Sequence, residues 1–146
     1  MIMSPYLLFY GDCRPALDFY SDVFRASVKE IITFQDATAF MDLPVSKENG
    51  SLVFKGVLEF QHEGSMSTLV MADSPALLFS GFSGSRGIRD NISLMVRFSD
   101  PDGLKIVFGQ LAVGGKVNVS LKETGSGQLT GSVIDRYGVC WLLEGL

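Results

Sequence analysis

A strand–turn–helix pattern near the start of the chain recurs in its second half. Residues 4–24, SPYLLFYGDCRPALDFYSDVF, contain an apolar run, a Gly-Asp turn and an amphipathic segment. Residues 91–111, NISLMVRFSDPDGLKIVFGQL, repeat this order around an Asp-Pro turn. Apolar residues three and four positions apart predict a helix in each copy, with Leu17, Tyr20 and Phe24 on one face of the first. The recurrence predicts two copies of one strand–helix–strands module.

The chain length suits a single domain made of two modules that share a core. It has 146 residues, of which 47% are hydrophobic, and half of that length would bury little surface alone. We expect module one at about 1–79, a linker at about 80–90 and module two at about 91–146. The linker prediction depends on the Gly/Ser-rich run SGFSGSRGIRD, which could equally form a flap over a pocket.

Short apolar runs separated by turn residues predict further strands in both modules. In module one these are Val28–Asp36, Thr38–Leu43, Val53–His62 and Ser67–Asp73. In module two they are Lys116–Glu123, Ser132–Asp135 and Gly138–Glu144.

The charge and hydropathy of the chain exclude several classes of partner. Twelve Lys and Arg residues stand against sixteen Asp and Glu, and the basic residues are scattered. This argues against binding to nucleic acid or to an anionic membrane surface. The longest apolar runs are too short to span a bilayer, and the start of the chain lacks a signal-peptide pattern. We expect a cytoplasmic protein.

The two cysteines, Cys13 and Cys140, are too few for a disulfide framework. Cys13 falls at a predicted helix start, where aligned backbone N–H groups could favour a reactive thiolate. The alternative interpretation, which we favour, is that Cys13 is a bystander without a chemical role.

Four segments in order carry a family resemblance: residues 4–24, then NISL, LAVGGKV and DRYGVCW. Together they resemble the PhnB-like branch of the vicinal oxygen chelate superfamily, the group that includes glyoxalase I and bleomycin-resistance proteins. The resemblance implies an α+β fold, the glyoxalase/bleomycin-resistance fold, in which two tandem βαβββ modules form an open, curved mixed sheet around a cleft. It also implies a homodimer, in which a symmetric partner could cover open sheet edges.

The resemblance also indicates where a metal would be held. In metal-using members of the superfamily, side chains from four strands hold a divalent ion, and those places correspond to Pro5, Val57, Asn91 and Leu142 here. Proline, valine and leucine offer no side-chain ligand, and an Asn carbonyl alone is a weak donor. Related PhnB-like sequences often have a His where Val57 stands. We therefore expect no metal and no other cofactor.

Strand alternation extends this register to a predicted ligand-binding cleft, because residues two apart on a strand share a face. The predicted cleft residues are Leu7, Phe9, Val57, Glu59, Gln61, Asn91, Ser93, Met95, Cys140, Leu142 and Glu144. The residues expected to pack against the helices instead are Tyr6, Leu8, Leu58, Phe60, Ile92, Leu94, Trp141 and Leu143. A slip of one residue would exchange the two sets.

Several titratable residues are candidates for chemistry in such a cleft. An apolar setting tends to raise the pKa of a carboxylate, so Glu59 could act as a general base. Alternatively, Glu59 and Glu144 lie at a solvated rim. His62 adjoins a predicted turn and is interpreted as an exposed loop residue. Arg86 and Arg89 could recognise an anionic ligand if the Gly/Ser-rich run folds over the cleft, or else they are solvated linker charges.

Three functions are consistent with these features. The favoured one is a metal-independent protein that binds a small molecule in an apolar cleft, because the metal ligands are missing while the repeat is intact. The second is an enzyme, either a lyase, an isomerase or a transferase, with Glu59 as its base. The third is a structural homodimer whose cleft is filled by its own side chains, such as Phe9 and Met95. The expected partners are a small molecule and a second copy of the chain.

Overall fold

The computed structural model describes residues 1–62, 64–79 and 92–145. The chain divides into two compact units, Met1–Ser85 and Arg86–Leu146. The elements of the first unit are β1 (Tyr6–Phe9), α1 (Cys13–Phe24), β2 (Ser27–Thr33), α2 (Phe34–Ala37), β3 (Val53–His62), β4 (Ser65–Asp73) and a 3-10 turn (Pro75–Leu78).

The strands of the first unit form a mixed sheet in the order β1-β4-β3-β2. β1 pairs with β4 in parallel, while the other neighbours are antiparallel. α1 packs closely on one face, where a Cβ added at Gly56 would lie only 2.7 Å from the Leu17 side chain. Leu17 and Tyr20 of α1 are fully buried, which places the core between α1 and this face.

A buried carboxylate fixes the start of α1. Asp73 Oδ1 accepts hydrogen bonds from the backbone N–H groups of Gly11 at 2.8 Å and Cys13 at 3.1 Å. Asp73 Oδ2 accepts another from the N–H of Val53 at 2.9 Å. The first N–H groups of a helix have no hydrogen-bond partner within the helix. The Asp73 carboxylate, at the end of β4, supplies an acceptor for them at the start of α1.

The chain leaves β2 directly into the single turn of α2. Thr33 Oγ1 accepts from the N–H of Asp36 at 3.1 Å, and Asp36 Oδ2 accepts from the N–H of Thr33 at 3.0 Å. This reciprocal capping box stabilises a helix start. Turns and irregular chain follow α2, so the strand predicted over Thr38–Leu43 is wrong.

The second unit repeats the topology of the first. Its elements are β5 (Leu94–Phe98), α3 (Pro101–Ala112), β6 (Lys116–Glu123), β7 (Leu129–Ile134) and β8 (Cys140–Gly145). Its sheet order is β5-β8-β7-β6, with β5 parallel to β8. The Asp100 side chain caps α3 by accepting from the N–H groups of Asp102 and Gly103, and Pro101 occupies the first helical position.

The core of the second unit lies between α3 and one face of its sheet. A Cβ added at Gly131 would lie 2.9 Å from the Phe108 ring and 2.9 Å from the Leu121 side chain. Gly131 therefore marks the face that α3 covers.

After β7, the buried carboxylate of Asp135 accepts a hydrogen bond from the Trp141 indole Nε1–H at 2.8 Å, which links the turn to β8.

The predicted α+β class of the glyoxalase/bleomycin-resistance fold is confirmed, because both units have the order βαβββ and neither sheet is closed. The additional turn of α2 lies within the first unit. The predicted linker at about 80–90 lies outside the described residues. In the described part of the chain, no helix is long and apolar enough to cross a membrane.

Candidate functional site

The side of the first sheet that faces away from α1 carries the candidate site. Gly56 lies on the side that α1 covers, and so do its register partner Met71 and the residue paired with Met71, Leu7. The residues that alternate with these point away from α1. We call the side facing away from α1 the far face of the first sheet; its members are Tyr6, Leu8, Lys55, Val57, Glu59, Gln61, Met66, Thr68, Val70 and Ala72.

The predicted placement of β1 is off by one residue. Leu7 and Phe9 lie on the α1 side, and Phe9 is 1% exposed, whereas they were predicted to line the cleft. Tyr6 and Leu8 lie on the far face and are about half exposed, whereas they were predicted to pack against helix. All four of these residues are apolar, so the sequence of β1 does not indicate which two of them face α1. Pairing with β4 decides it, because Leu7 is registered with buried Met71.

Predicted cleft residues of β3 share the far face. Val57, Glu59 and Gln61 alternate with Leu58 and Phe60, which lie on the α1 side. Leu58 is fully buried. The structure thus brings these three predicted site residues together on one strand.

Polar side chains cross the far face in one row. Glu59 is registered directly opposite Thr68, and Thr68 Oγ1 lies 2.7 Å from Ser4 Oγ. On the other side, Lys29 Nζ lies 3.0 Å from Glu59 Oε1. We call Ser4, Thr68, Glu59 and Lys29 the polar row. The Glu59 side chain is 14% exposed and that of Lys29 is 49% exposed, so the carboxylate is the sheltered member of the pair.

Lys29 reaches Glu59 because the regular pairing of β2 is interrupted there. The register shifts between Val28 and Glu30, which leaves Lys29 outside the regular alternation. Glu30 forms a second ion pair, with Lys55 Nζ at 2.8 Å. Sequence alternation gave no indication of a bulge, so the role of Lys29 beside Glu59 was missed.

Apolar side chains lie beside the polar row. Tyr6, Val70 and Val57 are in register across β1, β4 and β3, and Leu8 and Ala72 form the next pair. We call these five residues the apolar platform. Partial burial raises the pKa of the Tyr6 phenol, with a smaller electrostatic contribution from Cys13, so its hydroxyl stays neutral at physiological pH. The far face thus combines an apolar surface with a polar edge.

In the second unit, the side of the sheet facing away from α3 carries the other predicted residues. Leu143 is registered with Gly131, so Leu143 lies on the α3 side, as do Leu94 and Trp141. The predicted cleft residues Met95, Cys140, Leu142 and Glu144 point the other way.

The exposure of these second-unit residues differs widely. Cys140 is buried and Met95 is 52% exposed. Glu144 Oε2 accepts from Arg97 Nε at 3.0 Å, and Glu144 is registered opposite Thr130. A Thr–Glu pair beside a cation therefore occurs in both units.

Further predictions concern residues that precede β5 and the residue at the end of β3. Asn91 lies outside the described residues, as do Arg86 and Arg89. Ser93 and Ile92 are exposed and precede β5. The prediction that Ile92 packs against a helix is therefore wrong. His62 is exposed, but it is the last residue of β3 rather than part of a loop. A single cleft lined by residues of both units stays a prediction.

The residues at the superfamily's metal positions do not fit a divalent ion. Pro5, Val57 and Leu142 have no side-chain donor atom, and Val57 lies within the apolar platform. Within the described ranges, no group of three or more His, Cys, Asp or Glu side chains could hold a metal ion.

Cys13 has the properties of a core thiol. It is fully buried, and burial raises the pKa of the thiol, with further contributions from the carboxylates of Asp73 and Asp12. The protonated form is therefore favoured at physiological pH. This supports the bystander interpretation over the reactive thiolate.

A shallow surface depression of about 430 Å³ is lined by no member of the far face. Its lining comes from the start of α2 and the turn before β3: Thr33, Gln35, Asp36, Ser46, Lys47, Gly50 and Ser51. None of the residues predicted for the site lines it.

Comparisons with known proteins agree with this architecture. No family model matches the chain. It is 23% identical over 145 residues to Protein YjdN of Escherichia coli (strain K12), covering 99% of this chain and 95% of that protein. Among solved structures, the PhnB protein from Bacillus cereus has a TM-score of 0.72 at 20% identity, with both chains fully covered. A glyoxalase-related enzyme from Fulvimarina pelagi has a TM-score of 0.56 at 15% identity, covering 100% of this chain and 89% of that one.

The chain thus has the glyoxalase/bleomycin-resistance fold of these neighbours. It is similar over its whole length to a PhnB protein, in agreement with the resemblance carried by the four sequence segments.

Proposed function

We propose that this protein binds a small organic molecule on the far face of the first sheet and does so without a metal ion. The observation that carries the proposal is the apolar platform bordered by the polar row. Ligand sites typically combine a mainly apolar lining with a few placed polar groups. Tyr6 and Leu8 are 55% and 46% exposed, so the platform presents apolar surface that a ligand could cover.

The environment of Glu59 supports binding more than proton transfer. Lys29 Nζ is 3.0 Å from Glu59 Oε1, so its positive charge balances that of the carboxylate on a largely apolar face. Glu59 is therefore suited to act as a fixed hydrogen-bond acceptor. The enzyme hypothesis, with Glu59 as base, is the alternative outcome of the experiments below.

Binding is tested by a fragment screen followed by amide chemical-shift mapping on the full chain. We expect fragments that bind to shift the amide resonances of β3 and β4. Tyr6→Ala should weaken the binding of these fragments about tenfold, because an aromatic contact is lost. Ile106→Ala, which removes a 61% exposed side chain on α3, is the control and should change nothing. A screen without any saturable binder would instead favour the structural hypothesis.

Metal independence is tested by elemental analysis of untagged protein combined with native mass spectrometry. We expect no stoichiometric Zn, Ni, Mn or Fe, because three of the four residues at the metal positions lack donor atoms. A stoichiometric metal would overturn this part of the proposal and bring the enzyme hypothesis forward.

We also propose a homodimer, located in the cytoplasm. Within its own unit each sheet ends in two edge strands, β1 and β2 in the first and β5 and β6 in the second. A symmetric partner is a common way to cover such edges. Light scattering should return twice the 15.9 kDa chain mass, and a value near one chain mass would contradict the dimer.

A further inference from the structure

The polar row offers both donors and acceptors to a ligand. Between Ser4 Oγ and Thr68 Oγ1, 2.7 Å apart, only one hydroxyl can donate to the other. The accepting hydroxyl therefore keeps its own proton, and the donating hydroxyl keeps its lone pairs. The pair can donate one hydrogen bond to a ligand and accept others.

Glu59 adds an acceptor on the next strand. An ionised carboxylate can accept about four hydrogen bonds, and the ion pair with Lys29, 3.0 Å from Oε1, uses one of them. Because Glu59 is registered directly opposite Thr68, their Cβ atoms are about 4.5–5.5 Å apart. A group bound between these two side chains can thus donate to Glu59 while it accepts from the hydroxyl pair.

We propose that the ligand is a neutral molecule with an apolar ring system and a hydroxyl group at one end, an inference that rests on the proposed function. A hydroxyl is both a donor and an acceptor, which matches what Glu59 and Thr68 offer. A carboxylate on the ligand would face the charge of Glu59, and an ammonium would face that of Lys29. Sites that hydrogen-bond a ligand hydroxyl reject analogues that lack it.

The width of the apolar platform sets the size of the ring system. Tyr6, Val70 and Val57 are in register across three adjacent strands. Neighbouring strands are about 4.8 Å apart, so the row spans about 10 Å. A fused pair of six-membered rings covers that distance.

The experiment compares four probes that share a naphthalene body: 2-naphthalenemethanol, 2-naphthoate, 2-naphthylmethylamine and 2-methylnaphthalene. Dissociation constants come from amide chemical-shift titrations of the full chain. We expect the alcohol to bind about tenfold more tightly than each of the others, and to shift the amides of Glu59 and Thr68.

Variants assign this preference to the polar row. Thr68→Val keeps the side-chain shape and removes the hydroxyl, so it should abolish the preference for the alcohol while 2-methylnaphthalene binds as before. Thr130→Val is the matched control, because Thr130 is registered opposite Glu144 in the second unit, and it should leave all four probes unchanged. Glu59→Gln, which keeps the volume of the side chain, should weaken the binding of the alcohol in the same way as Thr68→Val.

The outcomes separate this inference from the proposed function. Equal binding of all four probes on the far face, or preference for the acid or the amine, overturns the hydroxyl inference and leaves the proposed function standing. No saturable binding of any probe overturns both. An equal effect of Thr68→Val and Thr130→Val also overturns the inference, since the preference would then not arise at the polar row.

Discussion

The Asp73 carboxylate accepts a hydrogen bond from the backbone N–H of Cys13 at 3.1 Å, so the last residue of β4 caps the first turn of α1. Asp73 is 1% exposed and also accepts from Gly11 and Val53. One side chain therefore joins the turn after β1, the start of β3 and the end of β4. Both of its carboxylate oxygens are used in these hydrogen bonds.

Replacing Asp73 by asparagine should destabilise the protein strongly. The amide offers one acceptor oxygen, so its NH₂ group would face at least one backbone N–H in a buried site. Leaving buried donors unsatisfied, and losing bonds to a charged group, costs about 2–4 kcal/mol. Urea unfolding followed by circular dichroism measures this cost.

The matched control for Asp73 is Asp42→Asn, an exposed carboxylate in the same unit. It should change the free energy of unfolding by less than about 0.5 kcal/mol. Similar effects of the two variants would show that the hydrogen bonds of Asp73 do not stabilise the fold.

Two glycines of the second unit should respond to alanine with opposite signs. A Cβ at Gly131 would lie 2.9 Å from the Phe108 ring and 3.1 Å from the Val119 carbonyl oxygen, so Gly131→Ala should cost about 1–3 kcal/mol. Gly109 lies exposed inside α3 with nothing within 4 Å of an added Cβ. Gly109→Ala should stabilise by about 0.5–1 kcal/mol. Thermal unfolding of both variants tests this, and a loss of stability in Gly109→Ala would contradict it.

The buried thiol of Cys13 should make stability fall at alkaline pH. Its pKa is raised in the folded protein by burial, while in the unfolded chain it is about 8.5. Above that pH the unfolded state loses a proton that the folded state retains, so the free energy of unfolding decreases as pH rises. Below it the two states bind the proton equally and the effect vanishes.

The proton of Cys13 makes this alkaline loss about 1.4 kcal/mol at pH 9.5, relative to pH 7. Urea unfolding at both pH values, with wild-type protein and Cys13→Ala, isolates the contribution. The variant should lose less stability than wild-type over this interval. Equal losses would mean that another group causes the effect.

The two ion pairs of the first sheet should differ in strength. Glu59 is 14% exposed beside Lys29, whereas Glu30 and Lys55 are 41% and 44% exposed. Water screens an exposed pair more effectively, so double-mutant cycles should give a coupling of about 1 kcal/mol for Lys29–Glu59 and less than about 0.5 kcal/mol for Lys55–Glu30. The reverse order would show that the polar row is solvated.

Much of the architecture followed from the sequence because its signals are local. The sequence predicted a helix after the Asp-Pro turn at Asp100 and Pro101, and α3 begins there, capped by the side chain of Asp100. Apolar spacing likewise placed Leu17 and Tyr20 of α1 in the core.

Features that depend on strand pairing were harder to predict. The face of β1 could not be chosen from sequence, because Tyr6, Leu7, Leu8 and Phe9 are all apolar and only pairing with β4 separates them. The bulge that brings Lys29 to Glu59 likewise arises from the pairing of β2 with β3.

α2 was missed for a different reason. Its capping box joins Thr33 to Asp36, whereas the usual pattern has Glu or Gln at the last position. The flanking apolar residues also suit a strand, so local pattern favoured the wrong element.

The parallel pairing of β1 with β4 fixes where the chain enters and leaves the first sheet. It enters at Tyr6, beside Val70, and leaves at Asp73, beside Phe9, which is the opposite end of the same strand pair. The entry and the exit are thus separated by the length of β1, about 13 Å for four residues. A circular permutation that joined these two points would need a new connection along the whole strand.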